Sequence, residues 1–167
     1  MLTNGRSDTD FELATPSGPT SVDVQGVPEG WAVKAVLLDG DDVTDRPFNV
    51  TTTTATLRVV MTDRLTSVTG TVQSSSGPRD HGVIVFPEEA ARWTFPSRFV
   101  RTVRADAEGR FRIQGLPPER YLAAAVNYLE DGEEQDAQLL ERLRSRATAF
   151  TLGENEQRSI RLDVISR

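Results

Sequence analysis

The chain has no cysteine, which removes disulfides, thiolate nucleophiles and cysteine zinc sites together and leaves the redox compartment undecided. It has a single histidine, His81, and a single lysine, Lys34. Basic charge is in deficit: the formal charge is −6, so no basic field exists to displace counterions from a phosphate backbone, and nucleic acid is not an expected partner. Apolar runs are short, and none approaches the roughly 20 residues that a membrane-crossing helix needs. The opening Met1-Leu2-Thr3-Asn4-Gly5-Arg6 lacks the apolar stretch of a secretory signal. Wholesale disorder is argued against as well, because 37% of residues are hydrophobic and 26% charged, inside the globular range.

Short runs rich in Val, Ile, Thr and aromatics recur between Gly, Pro, Asp and Ser, the pattern of an all-β sandwich rather than of βαβ units. Strands are expected near Phe11–Ala14, Thr20–Gln25, Trp31–Leu38, Thr56–Met61, Ser67–Gln73, Gly82–Phe86, Phe99–Ala105, Arg110–Gln114, Tyr121–Tyr128, Thr148–Leu152 and Gln157–Val164. The run from Trp31 to Leu38 is apolar on both faces, which predicts a central strand. In the last strand Ile160, Leu162 and Val164 alternate with Arg161 and Asp163, which predicts one wet face. The exception is Glu130–Ala147: Asp136 is a candidate N-cap, Glu133 and Glu134 precede it, and Arg142, Arg144 and Arg146 crowd the other end. With Leu139, Leu140 and Leu143 as an apolar stripe, one short helix near 136–146 is expected to lie on the sandwich as a packing element.

Self-comparison finds an echo. Gly26-Val27-Pro28-Glu29-Gly30-Trp31 matches Gly115-Leu116-Pro117-Pro118-Glu119-Arg120-Tyr121, and each is followed by two strand-like runs. The Gly-Leu/Val-Pro unit ends one strand, fixes φ through proline and starts the next with an aromatic, so Trp31 and Tyr121 are both assigned to the core. The echo implies tandem antiparallel β-sandwich units, a short or incomplete one over 1–64 and a complete one over 65–167. About two strands are missing ahead of the first motif. A smaller sheet, an upstream continuation of the chain or a strand donated by another molecule would each account for them.

The second unit resembles the carboxypeptidase regulatory-like domain, a transthyretin-like (prealbumin-like) sandwich of bacterial envelope and secreted proteins. The matching residues are Gly70-Thr71-Val72, Gly82-Val83-Ile84-Val85-Phe86, the turn Asp106-Ala107-Glu108-Gly109-Arg110-Phe111, and Gly115-Leu116-Pro117-Pro118 running into Tyr121; Glu119 stands where the family usually has glycine. The resemblance covers about Thr66 to Arg167. It implies a non-catalytic module, located outside the cell or in its envelope.

The residues with chemical potential support that expectation. His81, at a strand start, lacks a Gly-x-Ser-x-Gly nucleophile turn and is expected in an exposed turn. The acidic stretch Asp39–Asp45 breaks a calcium-loop pattern at Val43 and is expected to be a solvated β-turn. Glu130–Asp136 reads as the polar entry to a helix rather than a metal cage. Arg92, Trp93 and Phe95 lie in a loop between strands, and an exposed tryptophan beside arginine stacks a sugar ring or anchors a protein. The other reading is that Trp93 folds back over the sandwich end. No catalytic residue, cofactor or metal is expected. The expected function is a structural or adhesive module that assembles with protein, as a second copy or as the rest of a longer chain, by strand complementation. Glycan binding, or service as an accessory domain of a hydrolase or an outer-membrane transporter, are the alternatives.

Overall fold

The computed structural model describes residues 18–50, 55–74, 81–93 and 97–165. The expected strand Phe11–Ala14 and the side chain of Phe95 lie outside them. The described residues fall into two units: those up to Val27 together with Val33–Met61, and Pro28–Ala32 together with those from Thr62 onward.

The first unit is built on a three-stranded sheet of β1 (Ala32–Leu38), β2 (Asp41–Asp42) and β3 (Leu57–Thr62), in the order β2-β1-β3. The central position expected for β1 is observed. Asp39 and Gly40 link β1 to β2 with φ of 49° and 98°, the left-handed pair that a two-residue hairpin requires, and Leu38 pairs with Asp41. Thr20–Gln25 is not a strand. Val22 and Val24 alternate with exposed neighbours, but only Thr20 pairs, through an isolated bridge to Phe48. Val36, Val43 and Phe48 are buried, with Val24, Leu57 and Val59 packed against them. Trp31 was assigned to the core by analogy with Tyr121, yet it is 40% exposed while Tyr121 is fully buried. The echo is real in the backbone, since Gly26 and Gly115 both adopt positive φ (68° and 74°), but it does not carry the aromatic inward in both copies.

The second unit contains β4 (Ser67–Gln73), β5 (Gly82–Pro87), β6 (Arg101–Arg104), β7 (Arg110–Gln114), β8 (Glu119–Val126), α1 (Ala137–Arg144), β9 (Thr148–Leu152) and β10 (Gln157–Ile165). The strand order is β6-β5-β8-β10-β4-β7, with β9 also pairing with β8. The all-β, sandwich-like fold with one helix is as expected, but the pairing is not antiparallel throughout. β10 runs parallel to β4 through Gln157–Asp163 and parallel to the end of β8 through Val164 and Ile165. This last strand thereby links one layer, β7-β4-β10, to the other, β6-β5-β8 with β9. The inward faces of both layers meet in one core, which includes Val68, Val85, Phe111, Tyr121, Phe150 and Leu162. Tyr121 and Phe150 stack at 5.7 Å, and the Tyr121 hydroxyl donates to the Pro117 carbonyl at 2.7 Å.

The helix caps the outer face of the second layer. Its N-cap is Asp136, whose carboxylate accepts from the Gln138 N–H at 2.8 Å. Leu139, Leu140 and Leu143 pack with Ile84, Phe86 and Leu122, which explains why β5 and all but the first two residues of β8 are buried on both faces. On the other outer face, Thr69, Thr71, Arg112 and Arg161 are exposed, and the wet face expected of β10 is observed.

The turn Asp106–Gly109 joins β6 to β7. Asp106 Oδ1 accepts from the N–H groups of Glu108 (3.1 Å) and Arg110 (2.7 Å), and Gly109 has φ 76°. Its carbonyl accepts from Val72 N–H at 2.7 Å, so the turn is bonded to β4. The Arg110 N–H, ahead of the Arg110 guanidinium, holds the Asp106 carboxyl below its usual range.

Candidate functional site

The strand edges are the places where backbone donors and acceptors end without a neighbour. β3 ends the first sheet, and among the described residues no strand pairs with its other side. Its sequence, Leu57-Arg58-Val59-Val60-Met61-Thr62, has one charge; Arg58 is exposed, and Leu57, Val59, Val60 and Met61 are half-buried. In the second unit, β6 at one edge carries Arg101 and Arg104 and β7 at another carries Arg110 and Arg112, while β9, which pairs only with β8 among the described strands, carries no charge. Charged side chains on an edge oppose pairing with another such edge, and β3 is nearly bare of them.

A second feature runs beside β6. Two hollows, of about 200 Å³ and 270 Å³, lie on either side of Thr102 and Glu134, which border both. The first is lined by Arg104, Tyr128, Glu130 and Asp131, the second by Trp93, Ser97, Val100 and Arg101. Tyr128 is 58% exposed. Gly82 lets the opposite wall approach, because a Cβ there would lie 2.7 Å from Leu129 Cβ. The wall is fixed by its own side chains: Glu133 accepts from Glu130 N–H at 2.7 Å, and Glu134 from Gly132 N–H at 3.0 Å. The sequence reading treated Glu130–Asp136 only as a helix entry, and the groove arises from the 3₁₀ turn Glu133–Gln135 that precedes the helix.

The residues singled out in the sequence are distributed as follows. Trp93 is not an exposed platform. It is buried between sheet and helix, its indole N–H donates to the Pro87 carbonyl at 2.8 Å, and its ring meets Phe86 edge-on at 5.7 Å. Of the two readings, the fold-back is the observed one. Arg92 lies over the Phe99 ring and within 3.3–3.4 Å of Glu89 and Glu119. Arg98 lies over the same ring, and Arg101 donates to the Ser97 and Val100 carbonyls. Burial, followed by the Glu119 charge, pushes the Tyr121 hydroxyl well above its usual range.

His81 is a correction. It is buried rather than exposed, and among the described residues neither ring nitrogen has a hydrogen-bond partner. The residue precedes β5, and its carbonyl accepts from Ala105 N–H at 3.0 Å, so pairing with β6 continues through it. Asp39–Asp45 was expected as one solvated turn; the turn is confined to Asp39 and Gly40, Asp41–Asp42 form β2 and Val43 is buried. The carboxylates of this stretch bond to the chain: Asp39 accepts from Thr56 N–H at 2.8 Å, and Asp42 accepts from the Thr44 N–H (2.9 Å) and hydroxyl. Among the described residues no three His, Cys, Asp or Glu side chains gather as a metal-holding group. Among the described residues no helix is long and apolar enough to cross a membrane.

No family model matches the chain, and no curated protein matches it. Nine solved chains are structurally similar. One, "The Bacillus anthracis TIE protein", has a TM-score of 0.38 at 8% identity, covering 83% of this chain and 32% of that one. The chain thus spans about a third of the length of that neighbour.

Proposed function

We propose that this chain is a non-catalytic structural module that assembles with further copies of itself by strand complementation through β3. The observation that carries this reading is the unpaired side of β3 among the described residues, on a strand with one charge, set against the arginine-bearing edges β6 and β7. Two copies of β3 placed antiparallel about Val60 set Val60 opposite its own copy, Val59 opposite Met61 and Arg58 opposite Thr62. No like charges meet in that register, and two three-stranded sheets become one of six strands. An extracytoplasmic setting rests on the resemblance of Thr66–Arg167 to the carboxypeptidase regulatory-like domain. Glycan stacking on Trp93 loses its support, because that ring is buried.

Sedimentation velocity over a range of concentrations tests the reading. The protein is expected to associate reversibly; Thr62→Arg, which sets guanidinium groups against Arg58 of the second copy, abolishes association, and adding Arg58→Glu to that variant restores it. A strict monomer at every concentration, or association indifferent to Thr62→Arg, overturns the proposal.

A further inference from the structure

The groove beside β6 has a geometry independent of β3. In an antiparallel pair, alternate residues direct their backbone groups toward the partner and away from it. Ala105 N–H bonds to His81 O, so Ala105, Val103 and Arg101 face β5, and Thr102 and Arg104 turn their N–H and C=O groups outward. β6 is the last strand of its sheet, so those outward groups have no neighbouring strand among the described residues. They face the groove, whose two hollows lie on either side of Thr102. An edge strand offers main-chain hydrogen bonds to an extended chain, and hollows spaced along it receive its alternate side chains.

Charge decides what enters. Around the first hollow stand Glu130, Asp131 and Glu134 against a single cation, Arg104, and the exposed Tyr128 ring stands beside them. A carboxylate-rich wall with an aromatic face suits an ammonium or guanidinium group. The second hollow is balanced, with Arg101 against Glu134, and Trp93 and Val100 add apolar lining suited to an uncharged side chain. The chain as a whole carries −6, which favours approach of a cationic segment.

We infer that the groove between β6 and the Tyr128–Gln135 segment binds an extended peptide of a partner protein, added as a strand to β6, with a lysine or arginine side chain seated against Tyr128, Glu130 and Asp131. This site does not depend on the β3 reading.

The test uses the full chain and two labelled probes, Ac-Val-Thr-Lys-Val-Thr-NH₂ and its counterpart with glutamate in place of lysine. Fluorescence anisotropy measures affinity and amide shifts locate the contact. The lysine peptide is expected to bind, shifting the amides of Thr102, Arg104 and Tyr128, and to bind about tenfold or more tightly than the glutamate peptide. Thr102→Pro, which removes an outward donor while leaving the β5 side of the ladder its bonds, weakens binding by a similar factor. The double variant Glu130→Gln, Asp131→Asn leaves the strand untouched and abolishes the preference for lysine over glutamate. Equal affinity for the two peptides, shifts away from β6, or no binding at millimolar peptide overturns the proposal. So does a response of the same amides to cellohexaose but not to peptide, which marks a saccharide site.

Discussion

Among the described residues, Val36, Val43 and Phe48 are the buried apolar side chains of the three-stranded unit, and the rest of its apolar set is half-buried. In the larger unit β5 is buried on both faces, one against β4, β7 and β10, the other against α1. The two units draw on the same residue types, Val, Leu and Phe on short strands. They differ in how many layers cover each sheet. A strand between two layers removes nearly all its apolar area from water, at about 25 cal/mol per Å², while a strand at the end of a lone sheet keeps both a partly wet face and an unpaired edge. The thinly covered unit is therefore the one from which self-association is expected, and the thickly covered unit serves as the frame.

Leu140 tests the frame most severely, since it is fully buried between helix and sheet. Leu140→Ala is expected to destabilise the larger unit by about 2–5 kcal/mol in urea unfolding, more than any truncation in the three-stranded unit. A loss within about 1 kcal/mol, the size of a surface substitution's effect, would break the contrast. Gly109→Ala comes next. It forces a Cβ onto a residue at φ 76° and to within 2.7 Å of the Val72 carbonyl oxygen. A destabilisation of about 1–3 kcal/mol is expected, read from the same unfolding curves, with faster amide exchange at Val72.

His81 sharpens the comparison from the other side, because it is a polar group in the well-covered core with both ring nitrogens unpartnered among the described residues. His81→Leu should stabilise the protein by about 1 kcal/mol, since an unmade hydrogen bond in a buried site is unfavourable. Destabilisation of that size would reveal a polar partner for the ring.

The smallest effect belongs to Asp106, which is solvent-exposed. Its carboxyl is held below the usual range, chiefly by the Arg110 N–H, so the folded state binds its proton less readily than the unfolded chain. The stabilisation is present above the ordinary carboxylate pKa and is lost as pH falls through the lowered one. Asp106→Asn should therefore flatten the acid limb of the stability profile and leave the difference between neutral and mildly alkaline pH unchanged; a parallel profile would remove Asp106 from the account.

Much of the frame was legible because it depends on local periodicity. Ser67–Gln73, Arg110–Gln114 and Thr148–Leu152 have the same bounds in sequence and structure, and the Leu139, Leu140, Leu143 stripe marks the helix. What failed depended on tertiary placement. His81 sits in a polar stretch and is buried because pairing with β6 extends one residue past Gly82. The parallel pairing of β10 cannot be read from its alternation, which is the same in either direction. Thr20–Gln25 alternates like a strand but lacks a partner beyond Thr20, and periodicity does not report pairing. The groove beside β6 was missed because its walls lie about thirty residues apart in the chain, in Arg101–Arg104 and Tyr128–Gln135. The β3 edge was anticipated only as a shortage of strands in the first unit.

Hydrogen exchange at two protein concentrations addresses the unpaired edge most directly. At low concentration the amides of Leu57–Thr62 that point away from β1 should exchange far faster than those of β5 and β8, and at high concentration they alone should gain protection. Equal protection of β3 and β5 in the dilute sample, unchanged on concentration, would mean that the edge is already covered and would contradict the account.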